Sequence, residues 1–358
     1  MSEIIENNSE ILFIYDAKMC NPNGDPDDEN KPRIDYERNL NIVSDVRLKR
    51  YIRDYISDFE DSDNNKIFVR KIDGAPVNAK KSLSIILGIE DKQKIHLTKE
   101  QAESFIQKAI DVRMFGGIIP DVKFSNKSNA TYTGPIQFNW GCSLNKVSGT
   151  FDSSGITSHF QTGKSDEDTE GGKSSGAMGK MYKVAYSVIA FHGIISAKRA
   201  EETKLSASDI GLFDRAIVRC IPLEATTESK AGQEPLFYMR VEYNSDNYFI
   251  GDFRKYLKLS DKNDKEITFD NSSKLDRGQY KIDVTDLIEK LEKKKDHISK
   301  IHFWKNEDIE LKGIKIEKAE NNSQKKFIKL NDTDKIELDE IDIEKKYTME
   351  QQDEQQSS

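Results

Sequence analysis

Residues 183–196 read KVAYSVIAFHGIIS, and the later part of this run is apolar on both faces. Such a strand belongs in the middle of a sheet that is covered on both sides. His192 within it reads as a sheet histidine, because no Ser, Cys or Asp accompanies it at a catalytic spacing. Ile11-Leu12-Phe13-Ile14-Tyr15 reads as the first strand. In Gly134–Leu144, Ile136, Phe138, Trp140, Cys142 and Leu144 alternate with Gln137, Asn139 and Ser143. That period of two predicts one buried face carrying Trp140 and one polar face. Leu236–Tyr243 is a further strand, expected to pair with Tyr248–Asp252, and Ile67–Val69 is a short one.

Helix signals separate these runs. Ser44 is an N-cap with Asp45 in the first turn, and Leu48, Tyr51, Ile52, Tyr55, Ile56 and Phe59 follow at helical spacing. Arg47, Lys49, Arg50 and Arg53 lie off that stripe and are expected on the opposite face. Thr98 and Gln101 form a capping box ahead of Ala102, Phe105, Ile106, Ala109 and Ile110. Ser206 with Asp209 starts another helix, with Ile210, Phe213 and Ile217 inside, expected to end before Pro222. Leu287, Ile288 and Leu291 suggest a helix ending near Lys293-Lys294-Lys295. Residues 309–316 and 327–343 alternate enough for hairpin strands. The succession of strand, helix and strand with long insertions suits an α+β fold with a ferredoxin-like palm. The aromatic motif of ordinary RNA-recognition sheets is absent, so stacking on an open sheet has no support from it.

Composition narrows the setting. Charged residues make up 33% and mean hydropathy is −0.72, so the surface is heavily solvated. No run of about 18 apolar residues offers a membrane span, and the acidic N-terminus lacks a signal-peptide core. Three isolated cysteines without CxxC spacing fit a reducing cytosol and argue against disulfides or zinc. A cytoplasmic protein is expected. Net charge is −8, but it is uneven. Residues 1–30 carry 1 basic and 8 acidic side chains, whereas residues 31–113 carry 17 and 14. Residues 114–200 carry 9 and 6. Phosphate affinity follows the field within a Debye length, so a local basic region can outweigh an acidic total.

Between the first strand and first helix, Asn21-Pro22-Asn23-Gly24-Asp25-Pro26 is dense turn chemistry. Lys146–Met181 is rich in Ser, Gly, Thr, Asp and Lys, and a connection this long is functional or disordered. Its two P-loop look-alikes fail, because Ser158 and Glu167 stand where the first glycine is required. The acidic loop from Asp25 fails as a calcium site, with Asn30 and Tyr36 at its sixth and twelfth positions. No cofactor or metal is indicated.

NPNGDP, then PRID (residues 32–35), then SDVRLKRYIR (residues 44–53) together resemble the backbone subunit of type I CRISPR Cascade complexes, the seventh Cas protein family. The type I-B form is most similar, with the type I-C form close behind. Tyr182 departs from the histidine common at this place in type I-C relatives. GPIQFNWGCSL and the glycine turn Arg113-Met114-Phe115-Gly116-Gly117 extend the resemblance, which runs from Ile11 to Asp252. It implies a ferredoxin-like, RRM-like palm with helical insertions over residues 1–252. A thumb at about 146–181 is inserted in it. Residues 253–346 follow as an α/β extension of the same domain, and residues 347–358 as a disordered tail.

The implied activity is non-catalytic. Copies of the chain polymerise along a CRISPR guide RNA beside other Cascade subunits and present it for pairing with target DNA. The RNA-binding residues carried over are Asn21, Asn23, Arg33, Lys49, Arg50, Arg53, Arg113, Gly116, Gly117, Gln137, Met178 and Lys180. Each also has a plain structural reading, as turn, solvated face or helix stop. The alternative is a type III-like backbone subunit that cleaves target RNA with a loop aspartate, Asp25 or Asp35.

Overall fold

The computed structural model describes residues 3–72, 75–90, 95–119, 122–124, 130–157, 178–318, 326–329 and 335–344. The first part of the chain supplies β1 (Ser9–Cys20), β2 (Leu40–Val43), α1 (Asp45–Phe59), α2 (Ala79–Leu87), α3 (Lys99–Lys108) and α4 (Ile110–Phe115). Next come β3 (Ile136–Phe138), β4 (Gly141–Ser143), β5 (Thr150–Thr157), β6 (Met178–Ile195), α5 (Ala197–Thr203), α6 (Ala207–Glu224) and β7 (Gln233–Tyr243). The last part gives α7 (Thr285–Glu292), β8 (Ile298–Lys305), β9 (Lys326–Lys329) and β10 (Lys335–Glu340). No described helix is long and apolar enough to cross a membrane.

The main sheet runs β9-β10-β8-β7-β1-β6-β4-β2, with β3 and β5 also paired to β6. Its middle is β1, antiparallel to both neighbours, with Phe13 opposite Phe191 on one side and Tyr238 on the other. Ile11–Tyr15 is almost fully buried because both faces of this strand are covered. On one face Phe13 and Tyr15 meet the apolar stripes of α1 and α6, among them Tyr51, Ile52, Phe213 and Ile217. On the other, Leu12, Ile14 and Phe237 lie under Phe253, Tyr280 and Leu287. Each such side chain contributes roughly 1.5–3 kcal/mol by leaving water. Chain beyond residue 252 therefore completes the second face and widens the sheet, with β8 antiparallel to β7 and β10 parallel to β8. A smaller cluster around Phe105 joins α2, α3 and α4.

Helix starts agree with the sequence reading: Ser44 accepts from the Arg47 N–H, the capping box of Thr98 and Gln101 forms, and Ser206 and Asp209 make a further one at the start of α6. Six expectations change. Residues 67–69 form no strand; the N–H groups of Phe68 and Val69 donate to the Asp111 carboxylate at 2.7 and 3.0 Å. Helix α6 continues through Pro222 to Glu224. A proline this near the end removes one hydrogen bond, while buried Cys220 and Ile221 hold the turn in the core. Tyr248–Asp252 does not pair with β7, both of whose edges are taken by β1 and β8. Instead Ile250 and Gly251 donate to Glu10 at 2.6 and 2.8 Å.

The fourth change concerns the strand carrying Trp140. Phe138 pairs with Gly193 and Cys142 with Ala190, so four steps on this side match three on β6. One inserted residue makes a β-bulge and reverses the facing of the residues beyond it. Gly141 and Ser143 turn inward, and Trp140 stands 45% exposed. A Cβ at Gly141 would lie 2.4 Å from the Phe191 ring, which is why only glycine fits there. The fifth change is in 146–181, which is not all connection: β5 pairs with the start of β6 from Thr150↔Val184 to Thr157↔Met178. Residues 158–177 and the expected tail, 347–358, lie outside the described residues. The expected hairpin in 327–343 is β9–β10, with Ile328 opposite Ile336. In 309–316, Glu310–Lys312 instead runs parallel to Lys281–Asp283 in a separate sheet.

Candidate nucleic-acid interface

The loop after β1 is built by its own side chains. Asn21, almost fully buried, donates from Nδ2 to the Asn30 carbonyl at 2.7 Å. Asn23 Oδ1 accepts from both the N–H and the Oγ of Ser44, at 2.8 and 3.0 Å, and so fixes the residue that caps α1. A Cβ at Gly24 would overlap Asn30, so the turn requires glycine. Asp25 accepts from the Asp27 N–H and pairs with Arg33 Nη1 at 3.0 Å. Asp35 accepts from the N–H groups of Glu37 and Arg38. Both aspartates are thereby engaged in turns. Among the described residues no group of three His, Cys, Asp or Glu side chains could hold a metal ion.

This loop touches two other elements. Tyr182 of β6 donates to Glu29 at 2.6 Å, and Lys31 lies 5.3 Å from the Tyr182 ring centroid. That hydrogen bond, with the charges of Lys180 and Lys31, holds the Glu29 carboxyl below its usual range. On its other side, the Arg33 guanidinium is 5.9 Å from the Trp140 ring. Lys180 is exposed at the base of β6. Met178 opens β6, and its side chain lies outside the described residues.

The remaining candidates lie elsewhere, and several are internal. Lys49 is 8% exposed and donates to Asp45 at 3.0 Å and to Gln137 Oε1 at 2.9 Å. Gln137 in turn donates to the Gly134 carbonyl at 2.9 Å. Arg53 pairs with buried Asp111 at 2.8 Å and lies over the Phe115 ring. Arg50, half-buried, pairs with Asp54 one turn on at 2.7 Å. The expected free basic face of α1 is thus largely a set of internal ion pairs.

Arg113 is the most deeply engaged of these candidates. Its guanidinium forks onto Asp209, at 3.0 and 2.8 Å, and donates to the carbonyls of Ile106 and Asn64. It is 6% exposed and pins α4 to the capping box of α6, leaving no donor directed at a phosphate. Gly116 has φ +77°, and a Cβ there would lie 2.3 Å from the Tyr132 carbonyl. Its freedom serves a close approach of two backbone segments. A Cβ at Gly117 would make only ordinary contact with Val112 and Phe68.

Two cations beside the loop are not among the residues that the resemblance carries over as RNA-binding. Lys230 donates to the Asn21 carbonyl at 2.6 Å, and the Arg47 guanidinium stacks 3.9 Å from the Tyr51 ring centroid. Neither has a carboxylate within ion-pair distance among the described residues. Burial, and then the charge of Arg47, push the Lys230 ammonium down to about 8. No spacing could have announced Lys230, which reaches the loop from beyond α6.

The profile of a family described as CRISPR-associated protein Cas7 matches residues 7–285, past the point where the short motifs end. A relative from Haloferax volcanii, CRISPR-associated protein Cas7, is 34% identical over 319 residues, covering 85% of this chain and 88% of that protein. A chain of the solved CRISPR RNA-guided surveillance complex, pre-nicking, aligns with TM-score 0.46 and 13% identity, over 85% of this chain and 95% of that one. A chain of a second CRISPR RNA-guided surveillance complex aligns with TM-score 0.45 and 14% identity, over 84% and 89%.

Proposed function

The chain belongs to the CRISPR-associated protein Cas7 family, and from that premise we propose that it is the RNA-binding backbone subunit of a type I Cascade surveillance complex. The observation that carries this is the 34% identity to a Cas7 protein across 85% of the chain. Copies of the subunit stack along the guide RNA and present it for pairing with target DNA, so that base pairing reads the sequence. The type I-B form is the subtype we favour.

The order β7-β1-β6-β4, with α1 after β1 and α6 between β6 and β7, supports a ferredoxin-like palm. The β5–β6 pair, leading into residues 158–177, is the base of the thumb in this reading. Residues 253–346 are an extension of the palm, consistent with the place of Phe253, Tyr280 and Leu287 on its second face. The guide passes over the loop at Asn21–Arg33 and the base of β6, where Lys180 holds a phosphate and Arg33, paired with Asp25, lines the path. Arg47 and Lys230 join them as cations without carboxylate partners, while Lys49, Arg53 and Arg113 shape the support beneath. The subunit is non-catalytic, in keeping with the engagement of Asp25 and Asp35 in turns.

The protein purified with its own partners should carry a discrete RNA band and the matching absorbance at 260 nm. The assembled complex given complementary RNA and Mg²⁺ should leave that RNA whole. An RNA-free preparation of the assembled complex would overturn the backbone reading. Regularly spaced products that vanish in Asp25→Ala or Asp35→Ala would replace it with an RNA-cleaving enzyme.

A further inference from the structure

Trp140 is placed in water by construction. Without the bulge it would follow Phe138 into the core; the inserted residue turns it outward. The turn is locked from both sides. Gly141 packs its backbone on the Phe191 ring. The Trp140 carbonyl accepts from Arg254 Nη1 at 2.7 Å, and Arg254 is itself held by a fork onto Asp252 at 2.9 and 2.7 Å. A large aromatic ring on a fixed backbone and half in solvent has few rotamers to lose by ordering, and gains when a flat partner covers it.

The surroundings select that partner. Arg33 lies 5.9 Å from the ring and Arg254 is bonded to its carbonyl, and each guanidinium is balanced by an aspartate, Asp25 or Asp252. The patch therefore has no excess charge to draw an acidic protein segment. It offers a π-face beside a planar cation, the combination on which single-stranded bases stack without regard to sequence. We infer that Trp140 is a stacking platform for one base of the bound RNA strand, with Arg33 as its flanking cation. This deepens the RNA-binding reading above and rests on it.

The other tryptophan, Trp304, packs against the core, so Trp304→Phe leaves Trp140 as the sole indole reporter. Titrating that protein with a mixed-sequence oligoribonucleotide should quench its emission. A strand of equal length made of abasic ribose phosphates should bind through its backbone with little quenching. Trp140→Ala should weaken binding of the base-bearing strand by about ten-fold, the scale of one stacked base, and leave the abasic strand unaffected. Trp140→Phe should restore most of that loss. An unchanged urea midpoint in Trp140→Ala would show that the fold is not the cause. Retention of both strands with unchanged emission, or equal quenching by the abasic strand, overturns the inference; the latter would mean that backbone or a second copy covers the ring. Failure of the wild-type protein to hold either strand overturns the RNA-binding reading and this inference with it.

Discussion

Two regions of this molecule hold arginines and lysines in opposite ways. In the block of α1, α4 and α6, cations face buried or half-buried carboxylates: Lys49 with Asp45, Arg53 with Asp111, Arg113 with Asp209. Around the loop at residues 21–39, Lys180 stands in water, Arg38 does so beside Asp35 at 3.4 Å, and Arg47 and Lys230 lie near one another without an acid within ion-pair distance among the described residues. A buried pair holds its geometry because breaking it strands a charge in a poor solvent. An unmatched cation at the surface keeps its field for a ligand. The same residue type is thus mortar in one region and offered contact in the other, and the partner makes the difference.

The sharpest way to break this contrast is to remove an acid from the inner block. Asp209→Ala leaves the Arg113 guanidinium buried and unpaired, at a cost of about 3–5 kcal/mol in urea denaturation. A loss below about 1 kcal/mol would mean that Arg113 swings to water and was never committed. Lys49→Ala should cost roughly 1–3 kcal/mol, since Gln137 and Asp45 lose a charged donor. It should leave the salt dependence of RNA binding unaltered. Asn23→Ala should cost about 1 kcal/mol by freeing the Ser44 N–H at the start of α1, read from the same denaturation curve.

The outer region should respond in the reverse sense. Arg38→Ala with Lys180→Ala should shift stability by no more than about 0.5 kcal/mol. The slope of log affinity against log salt for a single strand should fall by roughly 0.7 for each phosphate contact removed. An unchanged slope would return these side chains to a merely solvated surface.

The smallest effect is one of pH, where β8 lies between β7 and β10. His302 lies between Glu242 and Asp339, 3.1 Å from each. Burial and Arg240 oppose its charge, but the two carboxylates outweigh them and raise its pKa. Its hydrogen bond holds Glu242 down to about 2, and Asp339 is lowered likewise. A histidine raised on folding stabilises fully below its unfolded value, about 6.5, and that part is lost as pH climbs through the folded value. Glu242 and Asp339 act the other way, stabilising above their unfolded values and failing only in acid. Melting temperature should therefore drop on going from about pH 6 to 8, and His302→Gln should flatten that drop. Parallel profiles for both proteins would show that the imidazole is neutral between its carboxylates.

Local signals were legible in the chain. The caps at Ser44, Thr98 and Ser206, the buried stripe of α1 and the doubly covered strand at 188–195 all appear where the residues predict them. Those features depend on partners within four residues or on a simple period, so sequence alone determines them. The motifs from Asn21 to Arg53 likewise pointed to the family that the whole-chain comparison shows. Which candidate residues reach the surface was decided only by tertiary structure. Lys49 meets Gln137 across 88 positions and Arg113 meets Asp209 across 96, and no periodicity reports a partner so distant. Trp140 faces water because β6 sets a register one residue out of step with its own strand, and the alternation within that strand cannot contain its neighbour's register.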